Sequence, residues 1–149
     1  MSVYTKRVGL RNVGSYQVSG TPWVTGSTSL TAEKTWRHSF PYVTKSFTLI
    51  NKGTVDLRLH FAAGQSLTFT ADGAAGQQNY TSGDNVHTNY HYITVPSSNG
   101  SVTFDSKCAE IYISNPDGST VGKYELFAEL TQIPTGSMYA LTGSGITEV

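Results

Sequence analysis

The sequence has few charged side chains, a single cysteine and no long apolar run. Charged residues make up 13% of the 149 residues, against roughly 25% in typical soluble domains. The lone Cys108 excludes a disulfide within the chain. No stretch approaches the roughly 18 apolar residues that a membrane-spanning helix needs. The first residues also lack the apolar core of a signal peptide, so no membrane partner and no secretion are expected.

Hydroxyl-bearing side chains are abundant instead. Threonine occurs 20 times and serine 17 times, which is a quarter of the chain, and there are 17 aromatic residues. A chain with so many aromatic residues and no long charge run is not expected to be disordered. Its length suits one domain that buries a core without disulfides or a metal.

Hydrophobic residues recur with a period of two, which is typical of half-buried strands. Val55, Leu57, Leu59 and Phe61, for example, alternate with polar residues. Short turn-forming sequences such as Asn51–Gly53 and Ser97–Gly100 separate the segments. We therefore predict an all-β fold, a single antiparallel, jelly-roll-like β-sandwich of about eight strands. The eight segments are Thr35–Phe40, Val43–Leu49, Val55–Phe61, Ser66–Thr70, Tyr90–Val95, Ser101–Phe104, Ala109–Ile113 and Tyr124–Leu130.

The same pattern divides the chain into a body and two ends. Residues 34–132 are predicted to form the sandwich body, and its polar segment 71–89 is too long for a simple hairpin connection. Residues 1–33 are predicted to be an extended N-terminal arm with short strand pieces, and residues 133–149 a C-terminal tail.

Motifs that carry chemistry are missing from the sequence. There is no glycine-rich phosphate loop and no G-x-S-x-G elbow. His87 and His91 form the one close histidine pair, and along a strand they would lie about 13 Å apart, too far to share one ion. Cys108 begins an apolar strand and is expected to be a small core residue. We expect no enzymatic activity, no cofactor and no metal site.

The net charge of zero is unevenly distributed along the chain. Residues 1–60 carry a net charge of +6 and residues 61–149 a net charge of −6. Interleaved strands would let opposite charges meet across a sheet; alternatively, a basic arm could dock on an acidic partner or on another copy. Basic residues cluster only at Lys6, Arg7 and Arg11, so nucleic-acid binding is not expected.

The two ends share short strings in which an aromatic residue precedes an apolar residue, a hydroxyl and a glycine. Such strings are common in turn-rich β proteins, but they could also be strands that pair with a neighbouring chain. On the second interpretation the protein is a homo-oligomer whose ends contact other molecules. The predicted assembly contacts are Lys6, Arg7, Arg11, Tyr16, Val18, Trp23, Tyr139 and Leu141.

Aromatic residues also flank the long polar segment. Tyr80, His87 and Tyr90 lie within or beside residues 71–89 and are candidates to contact a ligand there. Exposed aromatic rings of this kind stack on sugars in many β-sandwich modules, so carbohydrate is a candidate ligand.

Two parts of the sequence resemble a known class of proteins. Residues 8–26, VGLRNVGSYQVSGTPWVTG, and residues 40–48, FPYVTKSFT, are similar to the opening of small β-rich virion proteins of marine tailed phages, cyanophages among them. The resemblance covers about the first 50 residues, and segment 71–89 looks like an insertion relative to shorter members.

The resemblance implies a structural protein of the virion, made in the host cytoplasm. Its most direct form is a capsid decoration or cement protein that binds the major capsid protein, or another virion protein, through its ends. Two alternatives remain: a tail or fibre component with a receptor-contacting loop, and a carbohydrate-binding β-sandwich module.

Overall fold

The structure is a computed structural model, described here for residues 9–11, 13–17, 19–62, 70–72, 75–79, 91–141 and 146. Within these ranges the chain is almost entirely β, with one four-residue helix, α1 (Gly14–Gln17), and one 3-10 turn (Thr135–Ser137). The strands are β1 (Thr21–Leu30), β2 (Lys34–Ser39), β3 (Tyr42–Asn51), β4 (Leu57–His60), β5 (Thr70–Asp72), β6 (Ala75–Asn79), β7 (Ile93–Val95), β8 (Ser101–Phe104), β9 (Glu110–Ser114) and β10 (Gly122–Pro134).

The strands form two antiparallel sheets. The four-stranded sheet has the order β1-β10-β3-β8, and the six-stranded sheet has the order β5-β6-β2-β9-β4-β7. The prediction of an all-β antiparallel sandwich is confirmed.

The core lies between the two sheets and follows the alternation seen in the sequence. Along β10, exposed and buried side chains alternate from Lys123 to Ala128, because successive side chains point to opposite faces of a sheet. Both sheets contribute to the buried cluster, and its members include Phe47, Leu49, Leu57, Leu59, Ile111, Ile113, Tyr124 and Leu126.

A contact between two polar side chains crosses this core. The His38 Nε2 and Tyr124 Oη atoms lie 2.5 Å apart and join β2 of one sheet to β10 of the other. Trp23 packs edge-on against Phe40 nearby, with ring centroids 5.0 Å apart. The two sheets are therefore held together by a specific hydrogen bond as well as by apolar packing.

Part of the N-terminal region, predicted to be an extended arm with short strand pieces, lies in the four-stranded sheet. Residues 21–30 form β1, which pairs with β10 of the same chain from Thr21 opposite Leu130 to Ser27 opposite Tyr124. The aromatic ring of Trp23 faces inward and packs against the core cluster. Burial of that ring and the ladder of main-chain hydrogen bonds account for the strand.

Part of the polar segment 71–89 is also in a sheet. β5 and β6 form a hairpin that extends the six-stranded sheet beyond β2, with Thr35 opposite Gln78 and Arg37 opposite Gly76. The sequence of this hairpin has no alternating apolar residues. Such a pattern is not required there, because strand pairing at a sheet edge depends on main-chain partners more than on a buried face.

A buried asparagine holds the turns at one end of the four-stranded sheet. The side-chain amide of Asn51 donates to the carbonyl oxygens of Val55 and Val95, at 2.8 and 3.0 Å. Its oxygen accepts from the Gly53 amide at 3.0 Å. The adjacent predicted turn contains Ser98 and Asn99 in the left-handed region, at φ of 61° and 69°.

Candidate functional site

The described parts of the two chain ends come together on one side of the sandwich. The short α1 contacts β10, and the Tyr16 hydroxyl closes its own segment by donating to the carbonyl of Leu10 at 2.8 Å. Lys107 donates to the same carbonyl at 3.4 Å, and its ammonium lies 5.8 Å from the centre of the Tyr16 ring. The segment is thus tied to the body by a hydrogen bond and by a cation–π contact.

Tyr139, from the C-terminal segment, lies within range of a charge interaction with Tyr16. Burial raises the pKa of Tyr16, and the charge of Tyr139 raises it further. We call the group of Arg11, Val13, Tyr16, Lys107 and Tyr139 the terminal surface.

The residues of the terminal surface include both exposed apolar and exposed basic side chains. Val13 is 66% exposed and Tyr139 is 59% exposed, while Arg11 and Lys107 are also exposed. Large apolar side chains left in solvent next to cations are typical of protein-binding surfaces. The arrangement can hold an apolar surface that carries negative charge.

A groove runs between the six-stranded sheet and the C-terminal segment. It has a volume of about 600 Å³, and Phe40, Phe61, Tyr112, Tyr139 and Leu141 are among the residues that line it. In its wall the Tyr112 hydroxyl donates to Glu110 Oε1 at 2.8 Å. Aromatic rings beside a carboxylate are the groups that bind the apolar faces and the hydroxyls of sugars.

The predicted assembly contacts do not all share one environment. Arg11, Tyr16 and Tyr139 lie on the terminal surface, whereas Trp23 and Leu141 pack against the core cluster. Lys6, Arg7 and Val18 lie outside the described residues. The aromatic-apolar pattern does not distinguish exposed contact residues from core residues. It indicates an extended segment but not which of its side chains faces the core of the same chain.

The predicted ligand-contacting residues Tyr80, His87 and Tyr90 lie outside the described residues. The groove beside Tyr139 is a separate feature of the described part of the chain.

A polar cluster that sequence reasoning missed occupies the outer face of the six-stranded sheet. The pairing of β4 with β9 brings His60, Tyr112 and Ser114 together, with His60 opposite Tyr112. The rings of His60 and Tyr112 stack with their centroids 5.4 Å apart. His60 Nε2 lies 2.7 Å from Ser114 Oγ, which is 2.6 Å from Thr35 Oγ1. All four side chains are buried although they point away from the sandwich core.

The partners of His60 define its protonation. Its Nδ1 faces the carbonyl of Ala62 at 2.8 Å, and because a carbonyl only accepts, Nδ1 carries the proton. In the neutral ring Nε2 then accepts from Ser114. Burial lowers the pKa of His60 to about 4, with a further lowering from the Arg58 charge against a rise from the Ala62 hydrogen bond. This cluster builds a fixed polar network from neutral groups.

Cys108 lies in the core, as expected. Its side chain is fully buried, 3.2 Å from the Thr44 hydroxyl, and burial raises the pKa of the thiol to about 11. A thiol in this state is a poor nucleophile.

The described ranges contain neither a metal-ligand cluster nor a membrane-spanning helix. No group of three or more histidine, cysteine, aspartate or glutamate side chains is arranged there to hold a metal ion. None of the helices in the described residues is long and apolar enough to span a membrane.

Comparison with protein-family profiles, curated proteins and solved structures finds no match to this chain.

Proposed function

We propose that this chain is a non-enzymatic structural protein of a tailed-phage virion that binds the capsid shell as a decoration or cement protein. The observation that carries the proposal is the terminal surface, which includes the exposed apolar side chains of Val13 and Tyr139 and the exposed basic side chains of Arg11 and Lys107. The resemblance of residues 8–26 and 40–48 to small phage virion proteins supports the same assignment.

The physical properties of the chain suit such a role. A protein that covers a shell relies on weak contacts repeated over many copies. A net charge of zero leaves little long-range repulsion between neighbouring copies. The major capsid protein, or another protein of the particle, would offer an apolar and acidic patch to the terminal surface.

Quantitative mass spectrometry of purified particles tests the proposal. We expect a copy number comparable with that of the major capsid protein, on the head. A few copies at the tail would replace the decoration role with that of a tail or fibre component. The complete absence of the chain from particles would contradict both roles.

A binding experiment tests the surface itself. The double variant Val13→Asp, Tyr139→Ser is expected to reduce co-sedimentation with heads that lack the protein by about tenfold, since both changes remove exposed apolar contacts. Ile93→Ser, at an exposed position on the edge strand β7, is the matched control and should bind as the unaltered protein does. Equal loss in both variants would exclude the terminal surface as the binding site.

The groove supports carbohydrate binding as a second candidate function, because Tyr112, Glu110 and Tyr139 line it. A glycan array followed by titration calorimetry tests this candidate. Binding that Tyr139→Ala abolishes would favour it, and the lack of binding to any glycan would exclude it.

A further inference from the structure

The outer face of the four-stranded sheet carries an ordered stripe of exposed side chains along β10. From the residue before the strand, the exposed positions are Val121, Lys123, Glu125 and Phe127, each separated by a buried residue. Val121 is 43% exposed and Phe127 is 41% exposed. The stripe therefore has an apolar side chain at each end and two opposite charges in the middle.

This order is complementary to itself when one copy is reversed. If a two-fold axis crosses β10 at Tyr124, perpendicular to the strand and between two facing sheets, Lys123 of one copy faces Glu125 of the other. The same operation places Phe127 opposite Val121. An axis parallel to β10 would instead put each Glu125 opposite its own copy, and the like charges would repel.

The surroundings of the stripe fit a flat contact. On the neighbouring strands, Val24 lies opposite Phe127 and Ile50 lies opposite Glu125, and Val24 is 72% exposed. Beside Glu125, a shallow groove of about 550 Å³ reaches across Gly26 and Thr28. Lys52, whose amide donates to the Lys123 carbonyl at 2.8 Å, adds positive charge next to the stripe.

Gly26 keeps this groove open. A Cβ at that position would lie 2.6 Å from the carbonyl oxygen of Tyr124, so no side chain fits between the paired strands. The missing side chain leaves room for a long side chain of another molecule beside Glu125.

We propose that a second copy of this chain packs on the four-stranded sheet, in an antiparallel, two-fold arrangement centred on Tyr124. The interface is isologous, with two Lys123–Glu125 pairs flanked by two Phe127–Val121 contacts. Four strands at about 4.8 Å spacing and six residues at about 3.3 Å cover only about 15 by 20 Å. A contact of this size falls below the range of stable interfaces and among weak, transient ones, so the dimer is weak and reversible. The proposal does not depend on the particle that the protein belongs to.

Charge exchange tests the geometry by sedimentation equilibrium, over about 1 to 500 µM protein, a range that covers weak dimers. The unaltered chain is expected to dimerise within this range. Lys123→Glu places glutamates opposite each other, and Glu125→Lys does the same with lysines. Because two symmetric pairs change at once, each single variant should raise the dissociation constant about tenfold.

The double variant Lys123→Glu, Glu125→Lys restores both pairs with reversed sign, and its dissociation constant should return to within about threefold of the original. Gln132→Glu adds a negative charge at another exposed position of β10 and is the matched control, with no change expected. Circular dichroism of each variant verifies that the fold is retained.

Three results would overturn the proposal. One is a monomer throughout the concentration range. Another is self-association that the single variants do not weaken. The third is a double variant that associates no better than the single ones, which would mean that the two charges do not face each other.

Discussion

At the scale of single residues, buried polar side chains with complete sets of partners stand out. Asn51 is fully buried and uses its amide and its carbonyl oxygen on three main-chain groups. Asn115 acts in the same way, since its amide donates to the carbonyls of Leu30 and Thr120 at 3.0 and 2.8 Å. Both asparagines replace main-chain partners that turns cannot supply for themselves.

We expect Asn51→Ala to lower the free energy of unfolding by about 3 kcal/mol, because it leaves buried main-chain groups without partners. Urea denaturation followed by tryptophan fluorescence measures the change. Gln132→Ala, at an exposed position, is the control and should cost less than about 0.5 kcal/mol. An Asn51→Ala variant as stable as this control would show that the three hydrogen bonds contribute nothing.

The burial of individual side chains could be predicted only in part from the sequence. The alternation around Leu57 and Leu59 correctly predicts a strand with an apolar face, and turn chemistry correctly predicts a turn at Asn51–Gly53. The burial of His60 and Ser114 on the opposite face was not predictable. A strand's own pattern shows which face is apolar, but not what covers the other face.

At the scale of elements, strands with strong alternation were predicted as parts of the body, whereas β1 was predicted only as short strand pieces of an arm. β3, β9 and β10 each fall on a predicted segment, because a sandwich core needs an apolar face from each of its central strands. β1 has two large inward side chains, Trp23 and Leu30, and the inner face between them carries threonine and serine. Its place in the sheet depends on pairing with β10, which lies about a hundred residues further along the chain.

The two faces of β1 should respond differently to truncation. Trp23→Ala removes a ring that packs on Phe40 and His38 and should lower the free energy of unfolding by about 3 kcal/mol. Val24→Ala, on the exposed face, should change it by less than about 0.5 kcal/mol. Chemical denaturation of both variants measures the two changes in the free energy of unfolding. Similar values would mean that the Trp23 ring does not stabilise the fold, and its predicted role as an assembly contact would then be favoured.

At the scale of the whole molecule, two buried histidines link stability to pH. Burial lowers the pKa of His38 to about 4, and the pKa of His60 is also lowered to about 4. The usual pKa of histidine in an unfolded chain is about 6.5. Above about pH 6.5 both rings are mainly neutral in the folded chain and in the unfolded chain. In that range these histidines therefore do not make the free energy of unfolding depend on pH.

The free energy of unfolding is therefore expected to fall as the pH is lowered from about 6.5 to about 4. In this range His38 and His60 bind protons in the unfolded chain but stay neutral in the folded chain. Each histidine accounts for about 3 kcal/mol at pH 4. Urea denaturation at pH 7, 6, 5 and 4 measures the loss in the unaltered chain and in His38→Gln and His60→Gln. Each variant should lose less stability between pH 7 and pH 4 than the unaltered chain, and equal losses in all three would contradict the assignment of the effect to these rings.

The central position of β10 has a consequence for how the protein is made. β10 lies between β1 and β3, and its pairing partners begin at Thr21. The four-stranded sheet therefore cannot be completed before the ribosome has added β10, and until then β1 and one edge of β3 have no partner strand. Contacts between segments so distant along the chain form slowly, so the incompletely folded chain is exposed to aggregation for a time. Co-expressed chaperones should therefore raise the soluble yield.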